Sequence, residues 1–288
     1  MGEDLERPPH APVMVDEVVR FLGERGVILD LTLGAGGHAA ALLDAGVETV
    51  IGVDRDPAAL ELARERLRSF GDRVRYLRAR FSEVDAEAVG GSVDGVLFDL
   101  GVSSMQLDQS HRGFGYRVDG PLDMRMGPDG PSAADLVNDL PEDELADLIF
   151  EYGQERRSRR IAGAIVRNRP IATTDQLARI VAGALGRNPG GPHPARRTFQ
   201  ALRIAVNREL EELAASLPQA VGLLGPGGRV VVIAYHSLED RIVKFGLRED
   251  ERLLVLTKRP LRPTPDEVAR NPRSRSAMFR VAERTEAA

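Results

Sequence analysis

The residues with the clearest chemical potential lie in Asp30-Leu31-Thr32-Leu33-Gly34-Ala35-Gly36-Gly37-His38. Glycines placed between a strand and a helix let backbone N–H groups come close to a ligand. Asp54 ends the next apolar run, about twenty residues on, where a carboxylate can accept hydrogen bonds from both hydroxyls of a ribose. Each such bond to a charged acceptor is worth roughly 1.5–3 kcal/mol. A glycine turn alone is a weak signal, because purely structural turns share it; the pairing with a strand-end acid is what points to a nucleoside-containing cofactor.

The glycine spacing then separates the cofactor classes. A dinucleotide site needs Gly-x-Gly-x-x-Gly with a diphosphate at the helix N-terminus. Here Gly34, Gly36 and Gly37 are followed by His38 and Ala39, so that pattern fails. Asp30 also brings negative charge to the turn, which suits a cationic moiety better than a diphosphate. S-adenosyl-L-methionine meets both requirements, with an adenosine ribose for Asp54 and a positive methionine end for the turn. Phe81, after the third apolar run, could line an adenine pocket or belong to the core, and its position alone does not choose.

A second constellation is Asp99-Leu100-Gly101-Val102-Ser103-Ser104, at the end of the fourth apolar run. In a doubly wound sheet, ligands sit beyond the carboxyl ends of the strands, so Asp99 would face the transferred methyl group. Methyltransferases acting on exocyclic base amines often carry Asp/Asn/Ser-Pro-Pro-aromatic here. Asp99 fits the first position and the Pro-Pro-aromatic part is absent, so a stacking partner must come from elsewhere, with Phe114, Tyr116 and Tyr235 as candidates. An Asp that only caps a turn is the structural alternative. The third constellation is Tyr235-His236-Ser237-Leu238-Glu239-Asp240, after the fifth apolar run, where His236 is either a group on the same sheet face or a structural histidine. No spacing among the five histidines suggests a metal site.

These positions imply the elements that must hold them. Residues 27–33, 49–53, 74–77 and 93–100 read as strands separated by helical stretches, and hence as a parallel sheet with right-handed crossovers. The alternation stops near Ser103. Residues 105–130, rich in Gly, Asp and Pro, read as a long loop, and helices follow, with Ser132 and the Thr173/Gln176 pair as caps. Residues 187–197 read as a basic turn and 199–217 as one amphipathic helix. Strand signals return at 229–235, and 253–257 with 277–282 suit a closing antiparallel pair. The predicted fold is α/β, a doubly wound Rossmann-like class I methyltransferase sheet interrupted by an all-helical domain. The expected organisation is methyltransferase domain over 1–104, helical insertion over 105–213, and methyltransferase domain again over 214–288.

Composition narrows the substrate. The chain has no cysteine, which removes disulfides, thiolate metal sites and the thiolate attack generally used to methylate carbon 5 of a pyrimidine. The net charge of −5 hides an asymmetry. Between Gly153 and Arg208, twelve arginines face only Glu155 and Asp175; from Arg252 to Arg284, nine basic residues face three acids. Two basic segments on an acidic body suit a polyanion such as RNA held in a defined place, with Arg196 and Arg197 as candidate phosphate contacts. With Lys244 and Lys258 the only lysines, general arginine usage explains part of this pattern. There is neither a membrane-length apolar run nor a signal-like N-terminus, so a cytoplasmic protein is expected. Nothing in the sequence fixes the oligomeric state, and a homodimer stays open.

Taken as strings, Gly36-Gly37-His38, DLGVSS at Asp99, RGF at Arg112, DGPLDMRM at Asp119, TFQAL at Thr198, VNRELEEL at Val206 and HSLEDRIV at His236 resemble the ribosomal RNA small subunit methyltransferase H family, the RsmH/MraW type. The resemblance runs from about His10 to Arg284. It implies N4-methylation of a cytidine in the decoding region of bacterial 16S rRNA, within the small ribosomal subunit, with S-adenosyl-L-methionine as donor. It also implies cofactor contacts at Gly36, Gly37, His38, Asp54, Phe81, Asp99 and Gln106. Residues 248–266 are short for the family. Two other classes stay open on the residues alone: a small-molecule methyltransferase, and a catalytically silent rRNA-binding assembly factor.

Overall fold

The computed structural model describes residues 12–102, 109–186 and 191–286. They fall into two compact units, one built from the chain up to Gly101 and from Leu210 onward, the other Val102–Glu209.

The first unit is organised by a seven-stranded sheet of order β3-β2-β1-β4-β5-β7-β6. Its strands are β1 (Val27–Asp30), β2 (Thr49–Asp54), β3 (Val74–Arg78), β4 (Val93–Asp99), β5 (Leu224–Ala234), β6 (Leu253–Val255) and β7 (Met278–Arg284). The first five pair in parallel, while β7 runs antiparallel to both β5 and β6. Near-continuous apolar runs such as Val230–Ile233 are what a sheet covered on both faces requires. Alternation then sends neighbours to opposite layers. Ile28, Val50 and Leu97 pack with Leu22, Leu42 and Leu60. Those three come from helices α1 (Val15–Leu22), α2 (Gly37–Asp44) and α3 (Pro57–Leu67). Leu29, Ile51 and Phe98 pack on the other side with Val89, Leu217 and Val243. These come from α4 (Ala86–Val89), α10 (Glu209–Leu223) and α11 (Ser237–Glu249).

The strand order reverses between β1 and β4: from β1 the chain steps outward to β2 and β3, then returns to lay β4 and β5 on the opposite side. Such a switch point opens a crevice at the carboxyl ends of the two strands. Residues 253–257 and 277–282 do form the closing antiparallel pair, separated by α12 (Pro265–Arg270) and a 3-10 turn at Pro272–Ser276.

The second unit packs α5 (Ala133–Asp139), α6 (Glu142–Gly153), α7 (Ser158–Arg167), α8 (Thr174–Leu185) and α9 (Arg196–Asn207) around Leu145, Ile149, Ile161, Leu177, Phe199 and Leu202. Ser132 with Asp135 and Thr173 with Gln176 make reciprocal capping boxes at the starts of α5 and α8. The single helix expected over 199–217 is instead α9 and α10, broken at Arg208, whose backbone is left-handed (φ 51°). The cause lies outside the helix: Asn207 is pinned, its Nδ2 donating to the Met124 carbonyl at 2.8 Å and its Oδ1 accepting the Met126 N–H at 2.9 Å. α9 also starts within the basic turn expected over 187–197. Among the described residues, no helix is long and apolar enough to cross a membrane.

Candidate active site at the carboxyl ends of β1, β4 and β5

The chain leaving β1 swings across the switch point. The Leu31 N–H donates to the Leu97 carbonyl and the Leu33 N–H to the Val53 carbonyl, each at 3.0 Å, so the segment crosses from β4 toward β2. Gly52 makes room for this crossing, since a Cβ there would lie 2.5 Å from the Leu33 side chain. The turn itself needs its glycines. Gly36 has φ 76°, and a Cβ on it would meet Leu67 at 3.0 Å; one on Gly37 would meet Pro12 and Arg66 at 3.1 Å. Gly36 caps α2 without a side chain, which leaves the first-turn N–H groups to a ligand.

Asp54 closes the turn from the other side. Its Oδ2 accepts the Gly34 N–H at 3.0 Å and its Oδ1 the Asp56 N–H at 2.8 Å. Burial raises its pKa, and these two backbone bonds oppose the rise. Each oxygen keeps a further lone pair, so the carboxylate is fixed in place and still able to accept two hydroxyls. Asp30 is 1% exposed, accepts the Thr32 N–H at 3.1 Å and is pushed up to about 6, chiefly by burial, with His38 opposing. A buried acid held above its ordinary range gains from a cation placed beside it. A carboxylate with spare lone pairs, a helix N-terminus with no side-chain cap among the described residues and a buried acid form a set that could hold S-adenosyl-L-methionine.

Asp99 lies across the crevice. Its N–H donates to Thr32 Oγ1 at 2.6 Å, which ties the end of β4 to the turn after β1. Its Oδ1 accepts the Tyr235 hydroxyl at 2.7 Å, and its Oδ2 lies 3.6 Å from His38 Nδ1. His38 Nε2 is 2.8 Å from the Val13 carbonyl, which can only accept, so that nitrogen carries the proton. Burial raises the Asp99 pKa, against the lowering effects of His38 and the Tyr235 bond. The Tyr235 phenol is driven well above its ordinary value, by burial first and by Asp99 second, and is therefore a fixed donor.

The structure brings Gly36, Gly37, His38, Asp54, Asp99 and Tyr235 to this end of the sheet. Phe81 opens a 3-10 turn after β3, half-buried, with its ring edge-on to Phe98 at 6.0 Å. Gln106 lies outside the described residues. His236 is the N-cap of α11, its Nδ1 accepting the Glu239 N–H at 3.4 Å while Glu239 accepts the His236 and Tyr235 N–H groups. The ring thus caps the helix through Nδ1, while its Nε2 is buried without a hydrogen-bond partner among the described residues, and exposed Ser237 is the first residue of that helix. Of the other aromatics, Phe114 is buried and Tyr116 already stacks on His193 at 4.7 Å. Arg196 and Arg197 are both exposed at the start of α9, and Arg197 also donates to the Gln154 carbonyl and lies 3.6 Å from Glu155. Thr32, Glu239 and the Val13 carbonyl hold the site together and were not singled out beforehand. Glu239 had a signal, the i,i+3 spacing from a helix cap.

Residues 7–285 match the model of the MraW methylase family. The chain belongs to the MraW methylase family. It is 50% identical over 304 residues to the ribosomal RNA small subunit methyltransferase H of Cereibacter sphaeroides, covering 98% of this chain and 92% of that one. It is also 50% identical over 297 residues to the protein of the same name from Acidobacterium capsulatum, covering 97% and 100%. A methyltransferase from Streptococcus mutans, solved with S-adenosylhomocysteine, is similar over 94% of both chains at 12% identity, with a TM-score of 0.46. As a member of the methylase family, the chain is a methyltransferase whose donor is S-adenosyl-L-methionine.

Proposed function

We propose that this methyltransferase modifies N4 of a cytidine in the decoding region of bacterial 16S rRNA, with the rRNA carried in the small ribosomal subunit. The observation that carries the amine assignment is Asp99, a carboxylate held at the end of β4 with one oxygen bonded and the other without a hydrogen-bond donor among the described residues. The names carried by half-identical relatives support the rRNA assignment. The absence of cysteine removes the thiolate route to carbon 5 and favours a nucleophile that needs none.

Bound S-adenosyl-L-methionine supplies an electrophilic methyl group. The chain's own residues act on the acceptor. The lone pair of a cytosine amine is delocalised into the ring, so positioning and a hydrogen-bond acceptor are what raise its reactivity. Asp99 accepts an amine hydrogen and localises that lone pair. The target base leaves its stack to reach the site, as with other base-modifying enzymes. In the helical unit, exposed Arg156, Arg159, Arg160, Arg167, Arg196 and Arg208 are the cations available to rRNA phosphates.

The test is to incubate the protein with small ribosomal subunits and methyl-labelled S-adenosyl-L-methionine, then digest the rRNA to nucleosides. Label in N4-methylcytidine is expected. Label in another nucleoside, or only in small metabolites, would overturn the assignment.

A further inference from the structure

We infer that Tyr235 is a positioning residue for this reaction: its hydroxyl occupies Asp99 Oδ1 and so makes Oδ2 the oxygen that takes the proton from the amine. The inference rests on the amine-methylation reading above.

Both ends of the Tyr235–Asp99 hydrogen bond are anchored independently. Tyr235 follows β5 directly, and its N–H is held by Glu239 at 2.8 Å. Asp99 ends β4, and its N–H is held by Thr32 at 2.6 Å. With both backbones fixed, the 2.7 Å bond between the side chains selects one rotamer of the carboxylate. The two oxygens then differ. Oδ1 is committed to the phenol. Oδ2 has His38 Nδ1 at 3.6 Å, beyond hydrogen-bond distance, and the Asp99 side chain keeps 24% of its surface exposed.

The charges around Asp99 set the sign of what Tyr235 does. His38 from α2 favours the carboxylate, while Glu239 from α11 opposes it; Asp99 in turn raises the neighbouring Asp30 at the end of β1. Burial is the largest influence and favours the neutral acid. Tyr235 acts against burial, and because its own phenol stays protonated it does so at every working pH. An ionised Asp99 is the form able to receive a proton. As the new N–CH₃ bond forms, one amine N–H bond breaks. Its electron pair stays on nitrogen, its proton forms an O–H bond at Oδ2, and the pair of the old S–CH₃ bond stays on sulfur.

Two readouts test this. The first is the pH profile of subunit methylation by wild type and Tyr235→Phe. Loss of one charge-assisted bond should move the acid limb of kcat to higher pH by about one unit, with about a tenfold fall below the limb. S-adenosylhomocysteine affinity should change less than twofold. The second needs no turnover: the Asp99 carboxyl carbon, assigned in labelled free protein through Asp99→Asn, should titrate at higher pH in Tyr235→Phe. Should Tyr235→Phe not fold, protein containing 3-fluorotyrosine, a stronger donor, should move both readouts to lower pH. A uniform loss of rate with an unmoved limb and an unmoved Asp99 titration would overturn the inference. Wild-type protein that leaves cytidine unmethylated would overturn the proposed function instead, with the carboxyl titration still deciding the hydrogen bond.

Discussion

The acids of the sheet unit and the arginines of the helical unit are both clusters of like charge, yet the fold treats them in opposite ways. Asp30 is buried and Asp54 and Asp99 are half-buried around one turn, their pKa values raised, and none has an arginine or lysine within salt-bridge distance among the described residues. The arginines, which looked from the sequence like a free basic surface, are in good part already engaged. Arg203 forms a two-pronged pair with Glu209, Arg169 donates to the Val137 and Leu140 carbonyls, Arg179 pairs with Asp175, and Arg197 turns toward Glu155. Unneutralised buried charge is costly and is tolerated where a ligand will complete it. Charge neutralised at home does structural work. The difference separates a binding site from a scaffold more sharply than charge counts do.

Substitutions that break the site side of this contrast should have the largest effects. Gly36→Val places a β-branched residue at φ 76° with its Cβ 3.0 Å from Leu67, and should weaken S-adenosylhomocysteine binding by about a hundredfold or more in calorimetry. Asp30→Asn sharpens the comparison. The folded-state pKa of Asp30, about 6, lies above its ordinary 3.8, so its stabilising influence is complete below about pH 4 and is lost as pH rises through 6. Two units correspond to about 3 kcal/mol, so the Asn variant should be the more stable at pH 7 by up to that amount. The advantage should vanish toward pH 4, and the variant should bind the cationic donor less well than the neutral product. Urea midpoints across that range check it; parallel curves would count against a buried, donor-seeking acid. The smallest effects belong to the arginines. Arg196→Ala should lower the salt-dependence slope of rRNA binding by about 0.7–1 at unchanged thermal stability. Arg197→Ala should leave that slope nearly alone and cost about 1 kcal/mol of stability or less. Equal slopes for the two variants would erase the distinction.

The glycine turn, the acid ending β2 and the acid ending β4 were legible because each depends on local geometry: a left-handed backbone, a strand end, a spacing. What was hidden depends on partners distant in the chain. As a letter His236 is either a group on the site face or a structural histidine, and only the fold shows its Nδ1 on the Glu239 N–H. The break at Arg208 is invisible in an amphipathic pattern, because its cause is Asn207 bonding to Met124 and Met126 some eighty residues earlier. Arg196 and Arg197, both exposed, are indistinguishable as letters, and Glu155 tells them apart. α1 was missed although Val15, Val18, Val19 and Leu22 carry a helical spacing. It matters to the site, since Val13, just before it, holds His38.

The central claim is that the turn after β1 and Asp54 together grip the adenosine of the methyl donor. Isothermal calorimetry with S-adenosylhomocysteine, on wild type and on Asp54→Ala, tests it most directly. Saturable binding is expected for the wild type. Loss of two charge-assisted hydroxyl bonds should weaken it by about 3 kcal/mol, roughly two orders of magnitude, in the variant. A wild-type protein that gives no binding, or a variant that binds as tightly as wild type, would contradict the account.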